Sequence, residues 1–321
     1  MKKTVAVLSP LAPDLVARLA DQFNVVELKP GADLQSVLTS GPIHGVISTG
    51  HRLGRQELAD VRELEVVSTI TVGYDNYDLD YLNERGILLT NTPDVLSETT
   101  ADLAFALMLT TARRIVELDG WLRAGNWRAG VGATHFGNDV HGKTLGILGL
   151  GNIGAAIARR GRFGFDMRVL YSANSRKPAL EQELDAEFRE LDALLAESDF
   201  LCVVVPLSEQ TRKLIGKREL EQMKTSAILV NIARGPVIDE AALIEALRSG
   251  QIRGAGLDVF EHEPMTESPL FALDNVVLVP HIGSATHETR RAMAELAVRN
   301  LELALCGETP LHRVNPQVSV G

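Results

Sequence analysis

The sequence predicts an α/β protein built from two doubly wound parallel-sheet domains, on three observations. At 321 residues the chain exceeds one ordinary core. Short apolar, β-prone runs alternate with helical patterns from the start and again from about residue 143. The second series opens on Gly149-x-Gly151-x-x-Gly154, set between an apolar run and a helix of small residues.

In the first series, residues 4–8, 25–28, 46–48, 66–70 and 87–90 read as strands and residues 13–22 and 55–61 as helices, a small parallel sheet complete before residue 95. A polar Ser97-Glu98-Thr99-Thr100 then opens a helical segment expected to run from 98 through 122, with Leu103, Ala106, Leu107 and Leu109 on a mostly apolar surface. It is long enough to cross between domains. Residues 125–139, with their glycines, Trp127 and Phe136, read as an excursion that packs on a partner subunit. Strands are expected at 167–171, 200–205, 227–231, 255–258 and 276–279, and a last helix at 288–305 has no strand after it. A chain that enters a second domain from a first often ends back on the first. The expected division is therefore 1–98 with 288–321, and 99–287.

Gly149 allows the tight turn out of its strand, Gly151 lets the backbone approach a pyrophosphate, and Gly154 lets the helix lie close on the sheet. The helix start offers N–H groups and a partial positive charge to phosphates. The segment 99–287 is thus expected to bind a dinucleotide. About twenty residues after the glycines, where an acid would hold the ribose hydroxyls, the chain has Tyr171-Ser-Ala-Asn-Ser-Arg-Lys177. No acid stands there to repel a 2′-phosphate. Asn174, Ser175 and Arg176, with Lys177, can bond one, so NADPH is the expected cofactor and NADH the weaker alternative.

A formal charge of -10, with no long Lys/Arg cluster, excludes a general nucleic-acid binder. The first apolar run is too short for a signal peptide or a membrane span, so a cytoplasmic protein is expected. Cys202 and Cys306 lack metal-ligand neighbours at useful spacing and read as packing residues in a reducing compartment; no metal is expected.

Charged or titratable residues stand just past three of the second-series strands, where a doubly wound sheet has its ligand crevice. Arg234 follows a buried run and precedes a Gly-Pro turn; its planar guanidinium can grip a carboxylate in two parallel bonds. Gly256-Leu-Asp-Val-Phe-Glu-His-Glu-Pro264 crowds acids around a histidine, which costs repulsion unless a cation is near. His281 follows Pro280 and precedes a glycine loop. An imidazole can shuttle one proton near neutral pH, and a neighbouring carboxylate would hold its tautomer.

Together with Val72-Gly-Tyr-Asp-Asn-Tyr-Asp78, these stretches resemble the D-isomer-specific 2-hydroxyacid dehydrogenases across nearly the whole chain and in family order. Residues 139–149 and 280–290 look closest to the bacterial glyoxylate/hydroxypyruvate/2-ketogluconate reductases. The resemblance implies a Rossmann cofactor domain inserted into a flavodoxin-like substrate domain, with a cleft between them, and a homodimer. It implies that Arg234 binds the substrate carboxylate and polarises its carbonyl, that His281 protonates the ketone oxygen, and that Glu263 pairs with His281. Substrate contacts would come from Val72-Gly73 and the loop Ser48-Thr49-Gly50, with domain closure. Cofactor contacts would come from Asn152-Ile153 at the pyrophosphate, Pro206 and Thr211, Ile232, Asp258 and Gly283 around the nicotinamide, and Thr100 on the crossing helix. The branch often carries two adjacent arginines at the ribose, where this chain has one. The expected function is NADPH-preferring reduction of small 2-oxo acids to D-2-hydroxy acids; the alternative is a nicotinamide-sensing interaction protein of the corepressor type, which shares this scaffold.

Overall fold

Strands and helices alternate through the computed structural model, which describes residues 2–319; residues 1, 320 and 321, the extremes of the first expected domain, lie outside the described residues. The chain divides into two units, one running up to Val95 and resuming from Thr286, the other comprising Leu96–Ala285.

The first unit runs β1 (Thr4–Val7), α1 (Pro13–Gln22), β2 (Asn24–Glu27), α2 (Leu34–Leu38), β3 (Gly45–Ser48), α3 (Arg55–Leu58), β4 (Val66–Thr69), α4 (Leu79–Arg85) and β5 (Leu88–Thr90). The strands form a five-stranded parallel sheet in the order β2-β1-β3-β4-β5. Central β3 and β4 are buried at every position, as expected of parallel strands covered on both faces. Short α2 and α4 are additions to the sequence reading. In α4 the Asp78 carboxylate accepts from the Tyr81 N–H, and Gly86 ends the helix at φ 66°.

The second unit continues with α5 (Ser97–Ala112), α6 (Ile115–Arg123), β6 (Thr144–Leu148), α7 (Asn152–Gly164), β7 (Arg168–Ser172), α8 (Pro178–Leu184) and β8 (Ala186–Phe188). It then runs α9 (Leu191–Glu197), β9 (Phe200–Val203), α10 (Lys217–Gln222), β10 (Ile228–Asn231), α11 (Glu240–Ser249), β11 (Gly254–Leu257) and β12 (Val276–Leu278). Its seven parallel strands lie in the order β12-β11-β10-β9-β6-β7-β8. The order reverses between β6 and β9, which makes the carboxyl end of β6 the topological switch point where such sheets bind ligands. The last helix, α12 (His287–Leu305), returns to the first unit, where the Ser68 hydroxyl on β4 donates to the Ala297 carbonyl at 2.8 Å.

The single helix expected over 98–122 is two helices. Arg114 takes a left-handed conformation (φ 55°) between α5 and α6. The cause is tertiary: the Ala112 carbonyl accepts from the Asn138 N–H at 2.8 Å, and the backbone at Gly137 lies so close that a Cβ there would meet Ala112 O at 2.4 Å. The Arg114 guanidinium then bonds Glu117 and the Thr134 carbonyl, which fastens the returning loop. No helix among the described residues is long and apolar enough to cross a membrane.

Candidate active site

At the end of β6 the chain turns at Gly149 with φ 106°, a conformation that favours glycine. A Cβ on Gly154 would sit 2.2 Å from the Gly149 carbonyl oxygen, so the first turn of α7 folds back on the strand as only glycine permits. Gly151 has nothing within 4 Å of where a Cβ would be, leaving backbone open at the start of a thirteen-residue helix. That combination fits a pyrophosphate: a bare approach, first-turn N–H groups at Ile153 and Gly154 with no acceptor inside the helix, and the positive end of the dipole. Beyond β9, the Thr211 hydroxyl donates to the Pro206 carbonyl at 2.6 Å and accepts from the Ser208 N–H at 2.8 Å, closing the loop that holds both expected contacts. Past β7, Arg176 and Lys177 carry exposed or half-buried side chains, and Asn174 and Ser175 are exposed beside them.

The charged residues expected past β10, β11 and β12 converge. Asn231 ends β10 and turns back on its own loop, its Oδ1 accepting from the Ala233 N–H (3.1 Å) and its Nδ2 donating to the Arg234 carbonyl (3.2 Å). Next in line, Gly235 lies against the chain after β11 so closely that a Cβ would fall 1.8 Å from the Phe260 carbonyl carbon. Arg234 is thereby fixed to the loop that carries Glu263. The Glu263 carboxylate accepts from the Phe260 N–H through Oε1 at 2.9 Å and meets His281 Nδ1 through Oε2 at 2.7 Å.

His281 owes its place to Asp258, a carboxylate buried at 1% exposure at the end of β11. Its two oxygens accept from the N–H groups of Ile282 (2.6 Å) and Gly283 (2.9 Å), while its backbone carbonyl accepts from the His281 N–H. His281 itself turns at φ 51°. On the other side, the buried Thr100 hydroxyl donates to the Gly283 carbonyl at 3.1 Å, and Ile232 is 7% exposed. Sequence spacing could not assign this clamp, because Asp258 bonds backbone two dozen residues away. Burial pushes the Asp258 carboxyl up, against the pull of the two N–H donors.

Burial also pushes Glu263 up, but the His281 bond, the Phe260 N–H and the charges of His281 and Arg234 outweigh it and hold the carboxyl below its ordinary 4.5. The folded carboxylate is therefore favoured over the unfolded one at pH above 4.5, and the advantage disappears as pH falls through the depressed folded value. A melting-temperature gap between the wild type and Glu263→Gln should thus persist through mildly acid pH and close only below the ordinary glutamate range. A gap that closes above it would contradict the pairing.

In the first unit, Ser48 and Thr69 end the adjacent strands β3 and β4. The Thr71 hydroxyl donates to the Gly73 carbonyl (2.6 Å) and Asn91 Nδ2 to the Val72 carbonyl (2.9 Å). The N–H groups of Val72 and Gly73 have no acceptor among the described residues. The Thr49 N–H donates to the Ser9 hydroxyl at 2.8 Å, and the fully buried Ser48 bonds His51 Nδ1 at 3.2 Å. His51 was missed in the sequence, where a lone histidine after a glycine gives no signal.

The family profile described as D-isomer specific 2-hydroxyacid dehydrogenase, NAD binding domain, matches residues 105–283. The chain belongs to this family. Its members are NAD(P)-dependent oxidoreductases, and so is this chain. A glyoxylate/hydroxypyruvate reductase B of Pectobacterium carotovorum is 51% identical over 321 residues, covering 99% of each chain. The protein of that name from Klebsiella pneumoniae is 48% identical over 322 residues, covering 99% of this chain and all of its own. A solved structure of an NADPH-dependent glyoxylate/hydroxypyruvate reductase from Sinorhizobium meliloti, in complex with NADP and malonate, is 34% identical and superposes with a TM-score of 0.89, covering 100% of this chain and 99% of its own. The family and the glyoxylate/hydroxypyruvate reductase branch read from the motifs agree with these matches, as does the pair of parallel-sheet α/β domains.

Proposed function

We propose that this chain reduces small 2-oxo acids, glyoxylate, hydroxypyruvate and 2-ketogluconate, to D-2-hydroxy acids, with NADPH preferred over NADH. The observation that carries the mechanism is the 2.7 Å contact of His281 Nδ1 with Glu263, a carboxylate that also feels the charge of Arg234. With Glu263 ionised, the Nδ1 proton belongs to that bond and Nε2 is the nitrogen left for the substrate. When bound, the reduced nicotinamide supplies the hydride that adds to C2 of the oxo acid.

The protein's own residues do the rest. Arg234 grips the carboxylate and draws charge toward the keto oxygen. His281 gives that oxygen its Nε2 proton as negative charge builds there. Glu263 stabilises the charged imidazole before the proton leaves, and Asp258 keeps the His281 loop in place. The N–H groups of Val72 and Gly73, with the Ser48-Thr49 loop, supply further carboxylate contacts. Gly149, Gly151, Asn152, Ile153 and Gly154 would hold the pyrophosphate. Pro206 and Thr211 would hold the next stretch of the cofactor, Thr100, Ile232, Asp258 and Gly283 the nicotinamide end, and Asn174, Ser175, Arg176 and Lys177 the 2′-phosphate.

A homodimer in the cytoplasm is part of the proposal. Ile115 (51%), Val116 (57%) and Leu122 (47%) are exposed on α6, an apolar surface suited to a second copy. Light scattering at the monomer mass would remove the dimer. The activity is tested by following the near-ultraviolet absorbance of NADPH and NADH against a panel of oxo acids. Turnover should be greatest with NADPH and either glyoxylate or hydroxypyruvate. No turnover with any oxo acid would sink the proposal, and a retained protein partner would then favour the sensor.

A further inference from the structure

The ribose loop is organised by a residue with no place in the site described so far. Glu181 lies in the first turn of α8 and receives a two-bond fork from Arg176, Nε to Oε1 at 3.0 Å and Nη2 to Oε2 at 2.6 Å. Its Oε1 also accepts from the Tyr171 hydroxyl at 2.5 Å, and that hydroxyl accepts from the Lys177 N–H at 2.8 Å. Tyr171 is fully buried, so the carboxylate is anchored to the core of the sheet. Its side chain is 16% exposed, against 66% for Arg176. The Arg176 fork and the Tyr171 hydroxyl hold the Glu181 carboxyl at about 2, so it is charged at any working pH.

We propose that Glu181 is the positioning residue that limits how strongly this chain discriminates NADPH from NADH, by committing Arg176 to a carboxylate fork that a 2′-phosphate must share or displace. The inference rests on the assignment of Arg176 to the 2′-phosphate. A guanidinium has five donors on two two-bond edges, and Glu181 occupies the one made by Nε and Nη2. The other edge, Nη1 with the second hydrogen of Nη2, can still meet an anion, but only one that approaches a guanidinium already held in place and partly neutralised by Glu181. The fixed negative charge of Glu181 also cancels much of the attraction that Arg176 would offer a dianion, leaving Lys177 as the other cation of the loop. A ribose hydroxyl pair, being neutral, feels neither effect.

The test is calorimetric titration of the full-length protein with ADP-ribose and with its 2′-phosphorylated counterpart, two ligands that share everything except the group in question. Glu181→Gln should tighten the 2′-phosphorylated ligand by about threefold to tenfold and leave ADP-ribose unchanged. Tyr171→Phe, which loosens the anchor without removing the charge, should shift the same ratio in the same direction by less, and it carries the test if Glu181→Gln does not fold. Equal changes for both ligands would mean a merely structural role and overturn the proposal, as would an unchanged or reduced ratio. Arg176→Ala separates the two levels. If it weakens only the 2′-phosphorylated ligand while Glu181→Gln has no effect on the ratio, Glu181 alone is misassigned; if it changes neither, the ribose pocket is misread and the inference falls with it.

Discussion

His281→Ala is expected to lower turnover by about a hundredfold to ten-thousandfold while leaving the dissociation constant for NADPH nearly unchanged. In the proposed reaction negative charge would build on the keto oxygen, and water is a poor substitute there for an acid already aimed at it. The geometry argues for a dedicated donor: Asp258 holds the His281 N–H and the backbone of the two residues after it, and Glu263 fixes Nδ1. The backbone bonds that shape the loop involve the 281 N–H and the Asp258 carboxylate, not the imidazole, so the loop should keep its course in the variant. Single-turnover absorbance separates this from a binding defect, because a positioned but unprotonated site still forms the ternary complex. Unchanged turnover in His281→Ala would falsify the proton-donor assignment.

Most of the architecture was legible because each central strand is a run of apolar residues bounded by turns, and because the fingerprint glycines do what only glycine can at Gly149 and Gly154. Strand ends moved by a residue or two, as frayed boundaries do. What stayed hidden was decided by contacts distant in the chain. The break at Arg114 has neither proline nor glycine to announce it; the loop at Gly137 and Asn138 makes it by taking the Ala112 carbonyl. β8 is three residues long with Glu187 in its middle, too short and too polar to stand out. In the site, single residues with unusual chemistry were visible, and their supports were not. Asp258, read as a nicotinamide contact, shows its hold on the His281 loop only through bonds to distant backbone, and nothing in the sequence ties Asn231 to the Arg234 carbonyl or Glu181 to Arg176.

Arg234→Ala is expected to lower kcat/KM for glyoxylate by about a hundredfold to a thousandfold, with a rise in KM as well as a fall in kcat, since in the proposed mechanism one guanidinium both holds the carboxylate and polarises the carbonyl. Arg234→Lys should recover only part of this. Lysine restores the charge as a point but cannot supply two parallel bonds to a planar carboxylate, so KM should recover less than kcat. The turn should survive in both variants, because Asn231 bonds the backbone carbonyl of residue 234 and Gly235 makes the close approach to Phe260. A second readout separates charge from shape. The Arg234 charge helps to hold the Glu263 carboxyl below its ordinary value, so in Arg234→Ala the melting-temperature gap created by Glu263→Gln should close at a higher pH than in the wild-type background, and in Arg234→Lys close to where it did before. An unaltered KM and kcat in Arg234→Ala would remove Arg234 from the substrate, and an unmoved acid limb would separate it from Glu263.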